Sequence, residues 1–265
     1  MPLVSVGSYE INYVERGSGP PVLLIHGLAG DFGAWESQIE AFSADHRVIA
    51  FDNRGAGRST QVDEPITTED MAKDTLALMD ALDVESTHIV GRSMGGAIGQ
   101  HIALLGPERV KTLTMCASFA KLDPLGRRVL INMREVLEWR DSWADHARHS
   151  VPNFVSGSFY NTHPEIVRGI ERLIGGTTRL PACYIRQNQA CLDHDTLDRL
   201  GEIDCPTLIL AGGVDPICSI QATSWMQERM PQAETVIFED SSHFFLMEEY
   251  DRFMAVLSDW FLHNR

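Results

Sequence analysis

The sequence predicts an α/β fold in which a mostly parallel, doubly wound sheet carries an inserted helical segment. Three observations carry that expectation. Short apolar runs recur along the chain, segments with apolar spacing near 3.6 separate them, and the alternation stops between residues 121 and 200.

The chain opens on Leu3 to Val6, a Gly7-Ser8 turn, and Tyr9 to Glu15, where apolar and polar residues alternate. That pattern reads as an antiparallel hairpin. Pro21 to Ile25, Arg47 to Phe51, His88 to Val90, Val110 to Cys116, Pro206 to Ala211 and Thr235 to Phe238 are apolar nearly throughout, as strands covered on both faces must be. Trp35 to Phe42, Thr68 to Leu82, Met94 to Leu105, Ser219 to Met230 and Glu249 to Leu262 have helical spacing. About eight strands result.

Residues 121–200 contain helical stretches at Arg127 to Trp139, Pro164 to Ile174 and Pro181 to Ala190, with loops near Pro152 and Gly157. A connection of that length folds as a unit of its own. The expected organisation is therefore a core of residues 1–120 and 201–265, with residues 121–200 as a helical cap.

The chain's 265 residues carry 37 acidic and 22 basic side chains, a formal charge of −15. Such a surface repels phosphate backbones and anionic membranes, so nucleic acid and membrane partners are not expected. Five cysteines without a C-x-x-C pair indicate free thiols in a reducing compartment. The N-terminus has no basic stretch leading into a long apolar run, and a cytoplasmic location is the expectation. No cofactor or metal is called for, and the composition is compatible with a monomer or a homo-oligomer.

Gly91-Arg92-Ser93-Met94-Gly95-Gly96 lies between an apolar strand and a helix, the setting that G-x-S-x-G requires. Small residues around Ser93 permit a strained strand-to-helix turn that lifts the hydroxyl clear of the backbone. A serine hydroxyl is a weak nucleophile. It needs an imidazole to take its proton and a carboxylate to orient that imidazole.

His243 follows the strand ending at Phe238 and precedes the last helix, and Asp215 lies in the turn-rich loop after Ala211. The order Ser, acid, His makes Ser93, Asp215 and His243 the expected catalytic residues, with Asp240, three residues before His243, as rival acid. His26-Gly27-Leu28-Ala29-Gly30 follows a buried strand. The backbone N–H groups of Leu28 and Met94 are the expected donors to a developing oxyanion, and His26 reads as a structural residue beneath that loop. Asp52-Asn53-Arg54-Gly55-Ala56-Gly57-Arg58-Ser59 lacks a phosphate-loop lysine and reads as a structural turn in which Asp52 and Arg54 pair.

His26-Gly27, Asp52-x-Arg54-Gly55-x-Gly57-x-Ser59, Gly91-x-Ser93-Met94-Gly95-Gly96, Asp215 and His243 together resemble the α/β-hydrolase superfamily over almost the whole chain. Within it the chain is similar to the branch of 3-oxoadipate enol-lactonases and small carboxylesterases. The resemblance implies eight strands with the second antiparallel, a site between core and cap, and hydrolysis of a small ester or lactone through an acyl-enzyme. Two other readings are a carbon–carbon bond hydrolase of a ring-fission diketone and a non-enzymatic ligand-binding member of the fold. Serine at position 93, where related dehalogenases carry aspartate, disfavours dehalogenation.

Arg92 departs from the pattern. Its guanidinium is expected to pair with a neighbouring carboxylate, with bidentate capture of a substrate carboxylate as the alternative. Trp139 and Trp143 are candidate pocket residues, with Phe154, Phe159 and Tyr160 as further aromatics and Arg186, Gln187 and Gln189 as polar contributors.

Overall fold

A computed structural model describes residues 2–264. Eight strands, β1 (Leu3–Val6), β2 (Tyr9–Arg16), β3 (Pro21–Ile25), β4 (Arg47–Phe51), β5 (Thr87–Arg92), β6 (Val110–Cys116), β7 (Thr207–Gly212) and β8 (Glu234–Phe238), form one sheet. Their spatial order is β1-β2-β4-β3-β5-β6-β7-β8. β2 pairs antiparallel with β1 and with β4, and every pairing from β4 to β8 is parallel. The second strand alone therefore runs against the rest.

The strands alternate their side chains between two cores, as a period of two demands. Val22 and Leu24 of β3, Val48 and Ala50 of β4 and Leu208 and Leu210 of β7 enter one cluster with Trp35, Ile39, Leu257 and Phe261. Leu23, Ile25, Ile49, Phe51 and Ile209 enter the other, with Met71, Leu78, Ile98, Ile102 and Met226. The first cluster is closed by α1 (Glu36–Phe42) and α11 (Tyr250–His263), the second by α2 (Thr68–Ala81), α3 (Met94–Leu105) and α9 (Ile220–Arg229). A short helix, α10 (Phe245–Glu248), leads into α11.

Between β6 and β7 the chain forms five helices: α4 (Pro124–Arg140), α5 (Trp143–Ser150), α6 (Gly157–Thr162), α7 (Pro164–Gly175) and α8 (Pro181–Asp193). Asp123 caps α4 by accepting from Gly126 N at 2.7 Å, and Ser142 and Ser156 cap α5 and α6. α5 and α6 follow these polar caps in a stretch whose apolar spacing is too brief for periodicity to announce a helix. A bridge between Lys121 and Asp195 closes the base of the segment. Among the described residues no helix is long and apolar enough to cross a membrane.

Candidate active site

Ser93 follows the last residue of β5 and caps α3 with φ 54° and ψ −120°. A non-glycine residue rarely adopts this region, and it persists only where neighbours over-determine it. Here the neighbours are explicit. Ser93 N donates to Cys116 O at 2.8 Å, and Ser118 Oγ donates to Ser93 O at 2.8 Å. A Cβ at Gly91 would stand 2.3 Å from Gly95 O, one at Gly95 2.1 Å from Ile25 O, and one at Gly96 2.4 Å from Ser118 Oγ. The glycines are thus demanded by close packing within the turn, against β3 and against Ser118 beyond β6.

His243 and Asp215 come together from the loops after β8 and β7, with Nδ1 and Oδ2 2.7 Å apart. Oδ1 of Asp215 accepts from the N–H groups of Ile217 and Cys218 at 2.7 and 3.0 Å, which fixes the carboxylate plane. Asp240 is exposed. Asp123 faces elsewhere, accepting from Ser219 Oγ at 2.6 Å.

Cys218 is a site residue that the sequence reading left aside. Its Sγ, a ring nitrogen of His243 and a carboxylate oxygen of Asp215 lie within 4.8 Å of one another, and its thiol interacts with the Ser93 side chain. Burial, then the Asp215 charge, pushes this thiol well above the ordinary range, so it stays protonated. These three side chains are the one group among the described residues with metal-ligand potential. At 2.7 Å, however, Asp215 and His243 are closer than two ligands of one tetrahedral ion, which stand roughly 3.3 Å apart at metal–ligand distances of about 2 Å.

The loop from His26 to Gly30 faces Ser93: a Cβ at Gly27 would meet Ser93 Cβ at 2.9 Å. Gly30 N donates to Gly27 O at 3.1 Å, closing a turn whose third residue, Ala29, has φ 58°. Among the described residues the N–H groups of Leu28 and Met94 make no hydrogen bond within the protein. His26 sits beneath the loop, where a Cβ at Gly30 would overlap its ring, and Asn53 Nδ2 donates to His26 O at 2.9 Å. Burial, then the Arg92 charge, hold His26 down to about 3, so the ring is neutral.

Arg92 does not form the carboxylate pair expected of it. Its guanidinium lies 4.0 Å from the centroid of Phe244 and 3.5 Å from His26 Nε2, and no carboxylate among the described residues forms an ion pair with it. An aromatic face and a neutral imidazole take the place of a counter-ion. Burial lowers this guanidinium to about 10, against the opposing pull of Cys116 and Asp215, and it remains charged near neutrality.

The expected pairing of Asp52 with Arg54 is also corrected. Asp52 is enclosed by donors, accepting from Asn12 Nδ2 at 2.7 Å, Phe32 N at 2.9 Å and Arg58 N at 2.8 Å. Arg54 turns to Asp74 of α2, with Nε 2.8 Å from Oδ2, beneath the ring of Tyr9.

Of the two tryptophans, Trp139 is 75% exposed. The buried positions of α4 are Val129, Leu130, Met133 and Leu137, and helical periodicity turns Trp139 to the opposite side. Trp143 packs against the cluster of Ala29, Leu137 and Tyr184, as Leu28 does, and donates from Nε1 to Arg179 O. The aromatic that approaches the site is Phe154, stacked on Phe244 at 4.8 Å and 6.2 Å from the His243 ring. Phe159 stacks on His163, Tyr160 is exposed, Arg186 pairs with Asp63 and Gln189 bonds Asp193. Gln187 is wholly buried and bonds two core loops. Two open surface clefts, of about 400 and 610 Å³, lie against α5 and α7 and beside Asp80 and Arg109; Ser93 lines neither.

Comparison with known proteins agrees with this fold. The family model described as the alpha/beta hydrolase fold matches residues 20–250. A putative carbamate hydrolase RutD of Azorhizobium caulinodans is 30% identical over 261 residues, covering 97% of each chain. 3-Oxoadipate enol-lactonase 1 of Acinetobacter baylyi is 27% identical, over 95% of this chain and 91% of its own. Among solved structures, a thermophilic esterase from Thermogutta terrifontis superposes with a TM-score of 0.87 at 27% identity, over 99% of this chain and 98% of that one. The enol-lactonase from Burkholderia xenovorans LB400 has the same fold, with a TM-score of 0.89 at 24% identity over 98% and 100% of the two chains. The strand order, the strained serine after β5 and these matches make the chain a hydrolase of the α/β-hydrolase family.

Proposed function

We propose that the protein hydrolyses a small carboxylic ester or lactone through an acyl-enzyme on Ser93, with segment 121–200 acting as a cap over the site. The observation that carries the reading is a serine held at φ 54° at the end of β5 while His243 is oriented by a buried Asp215 at 2.7 Å. In this reading Ser93 Oγ attacks the carbonyl carbon as His243 takes its proton. The tetrahedral oxyanion accepts from the N–H groups of Leu28 and Met94. Collapse breaks the acyl C–O bond, and His243 returns the proton to the leaving alkoxide. Water, deprotonated by His243, then attacks the acyl carbon, releasing the acid and restoring Ser93. Asp215 keeps Nδ1 protonated, so Nε2 is the basic nitrogen, and steadies the imidazolium.

The enol-lactonase and esterase relatives support an oxygen ester as substrate. A carbamate is the second reading, favoured by the 30% identity to a putative carbamate hydrolase over nearly the whole chain. Both share the acyl-transfer step and differ in the leaving atom. Turnover of p-nitrophenyl acetate by the wild type and by Ser93→Ala tests the proposal. A fall of at least about a thousandfold, with a serine-directed phosphonate labelling the wild type alone, is the expected result; an unchanged rate in folded Ser93→Ala would end it.

A further inference from the structure

A single buried side chain of the cap bridges two core loops, those after β3 and β4. Gln187 of α8 is 0% exposed. Its Oε1 accepts from Ala29 N at 2.8 Å, and its Nε2 donates to Arg54 O at 2.7 Å. Both of its polar ends are therefore engaged by backbone groups 158 and 133 residues away in sequence.

The residue it holds is an unusual one. Ala29 is the third residue of the turn closed by Gly30 N and Gly27 O, and its φ of 58° is a value that a side-chain-bearing residue seldom takes. Glycine or asparagine is the usual occupant of that turn position. Without a partner on its N–H, the peptide between Leu28 and Ala29 has every reason to rotate towards the turn that alanine prefers. Burial would then leave the Ala29 N–H unsatisfied. Gln187 removes that freedom: the geometry that suits its Oε1 is the one in which Ala29 stays at positive φ.

We infer that Gln187 is a positioning residue through which the docked cap holds the loop from Gly27 to Gly30 in the form that presents the Leu28 N–H to the oxyanion. The inference rests on the reading of Leu28 as an oxyanion donor. A preorganised donor contributes because it needs no reorganisation as charge develops, and a small displacement forfeits much of it. Two other contacts hold the start of the loop, Asn53 on His26 O and Arg92 against His26 Nε2. Gln187 holds its apex, and it alone among the three comes from the cap. Cap docking and oxyanion geometry are coupled through it.

Steady-state kinetics with p-nitrophenyl acetate on four variants test this. Gln187→Met, which keeps the volume and removes both hydrogen bonds, should lower kcat by roughly tenfold to a hundredfold, within the loss expected for a misplaced oxyanion donor, with KM moved less than about threefold. Ala29→Gly placed in that background should recover at least a third of the lost rate on a logarithmic scale, since glycine adopts positive φ unaided. Gln187→Glu retains an acceptor for Ala29 N but sets a second carboxyl oxygen against Arg54 O, so its kcat should fall between those of Gln187→Met and the wild type. Should Gln187→Met not fold, Gln187→Leu, which also removes both hydrogen bonds, is read in its place by the same limits on kcat and KM. Wild-type kcat in folded Gln187→Met, or no recovery from Ala29→Gly, would overturn it. Ser93→Ala, measured beside them, separates the two claims: activity surviving there removes the acyl-enzyme reading itself, whereas an inactive Ser93→Ala with unaffected Gln187 variants removes only the positioning role.

Discussion

Asp215 reaches His243 across 28 residues of chain, Oδ2 to Nδ1 at 2.7 Å, whereas Asp240, three residues from His243, points to solvent. The nearer carboxylate in sequence is the wrong one in space, because the loop after β8 turns Asp240 outward while the β7 loop tucks Asp215 behind the imidazole. Asp215→Asn presents an amide where the ring N–H needs an acceptor, and is expected to lower kcat by about a thousandfold or more. Asp240→Asn should leave kcat within about twofold. Equal losses, measured with one ester, would move the assignment.

The rate should rise with pH. An imidazolium cannot accept the serine proton, so kcat/KM for a neutral ester is expected to climb from acid towards neutral pH. Arg92, charged throughout that range, adds no step of its own. A profile falling across this interval would remove His243 as base.

Arg92 is the natural suspect for recognising a substrate carboxylate, and its geometry argues otherwise. With the guanidinium against Phe244 and His26, Arg92→Met should alter KM for anionic and neutral esters by the same factor, within about threefold. A selective rise in KM for the anionic ester of at least about tenfold, roughly 1.4 kcal/mol, would assign Arg92 to substrate binding.

Three buried histidines, besides His26, should weaken the fold in acid. His88 bonds Thr112 Oγ1, His146 bonds Met133 O, and His194 bonds Thr68 Oγ1. Burial is the first cause holding them down, to about 4, 4 and 3. The unfolded chain binds protons at these rings near pH 6.5 while the folded chain refuses them until about pH 4 to 3. Their contribution is therefore full above pH 6.5 and lost as pH falls through that window, at up to about 1.4 kcal/mol per pH unit for each ring. Urea unfolding at pH 7, 6 and 5 should show a steepening loss below 6.5, and His194→Gln should flatten it. A constant unfolding free energy over this range would contradict the account.

Dialysis against EDTA should leave the esterase rate unchanged. Asp215 and His243 are engaged with each other at 2.7 Å, and an ion would have to part them. A rate lost on dialysis and restored by zinc would show that the group with Cys218 holds a metal.

Local sequence was enough for whatever depends on near neighbours along the chain. The apolar strands β3 to β7 and the helices α2, α3 and α11 were legible because a strand buried on both faces is apolar nearly throughout and a helix beside it repeats near 3.6. The turn at Ser93 was legible because three glycines stand where the turn's own backbone, β3 and the Ser118 side chain come too close for a Cβ. α5 and α6 were not, since their few turns hold too little periodicity to read.

Tertiary structure decided the rest. Trp139 and Phe154 look equally suited to a pocket in the sequence, yet the phase of α4 sends the first to solvent and the chain after α5 lays the second over Phe244. Cys218, Arg92 and Gln187 acquire their meaning from partners on loops that other strands bring to them. Periodicity records which face a residue occupies and motifs record which chemistry a turn permits. Which carboxylate meets the imidazole, and which amide holds Ala29, follow from how distant segments pack, and no local pattern encodes that distance.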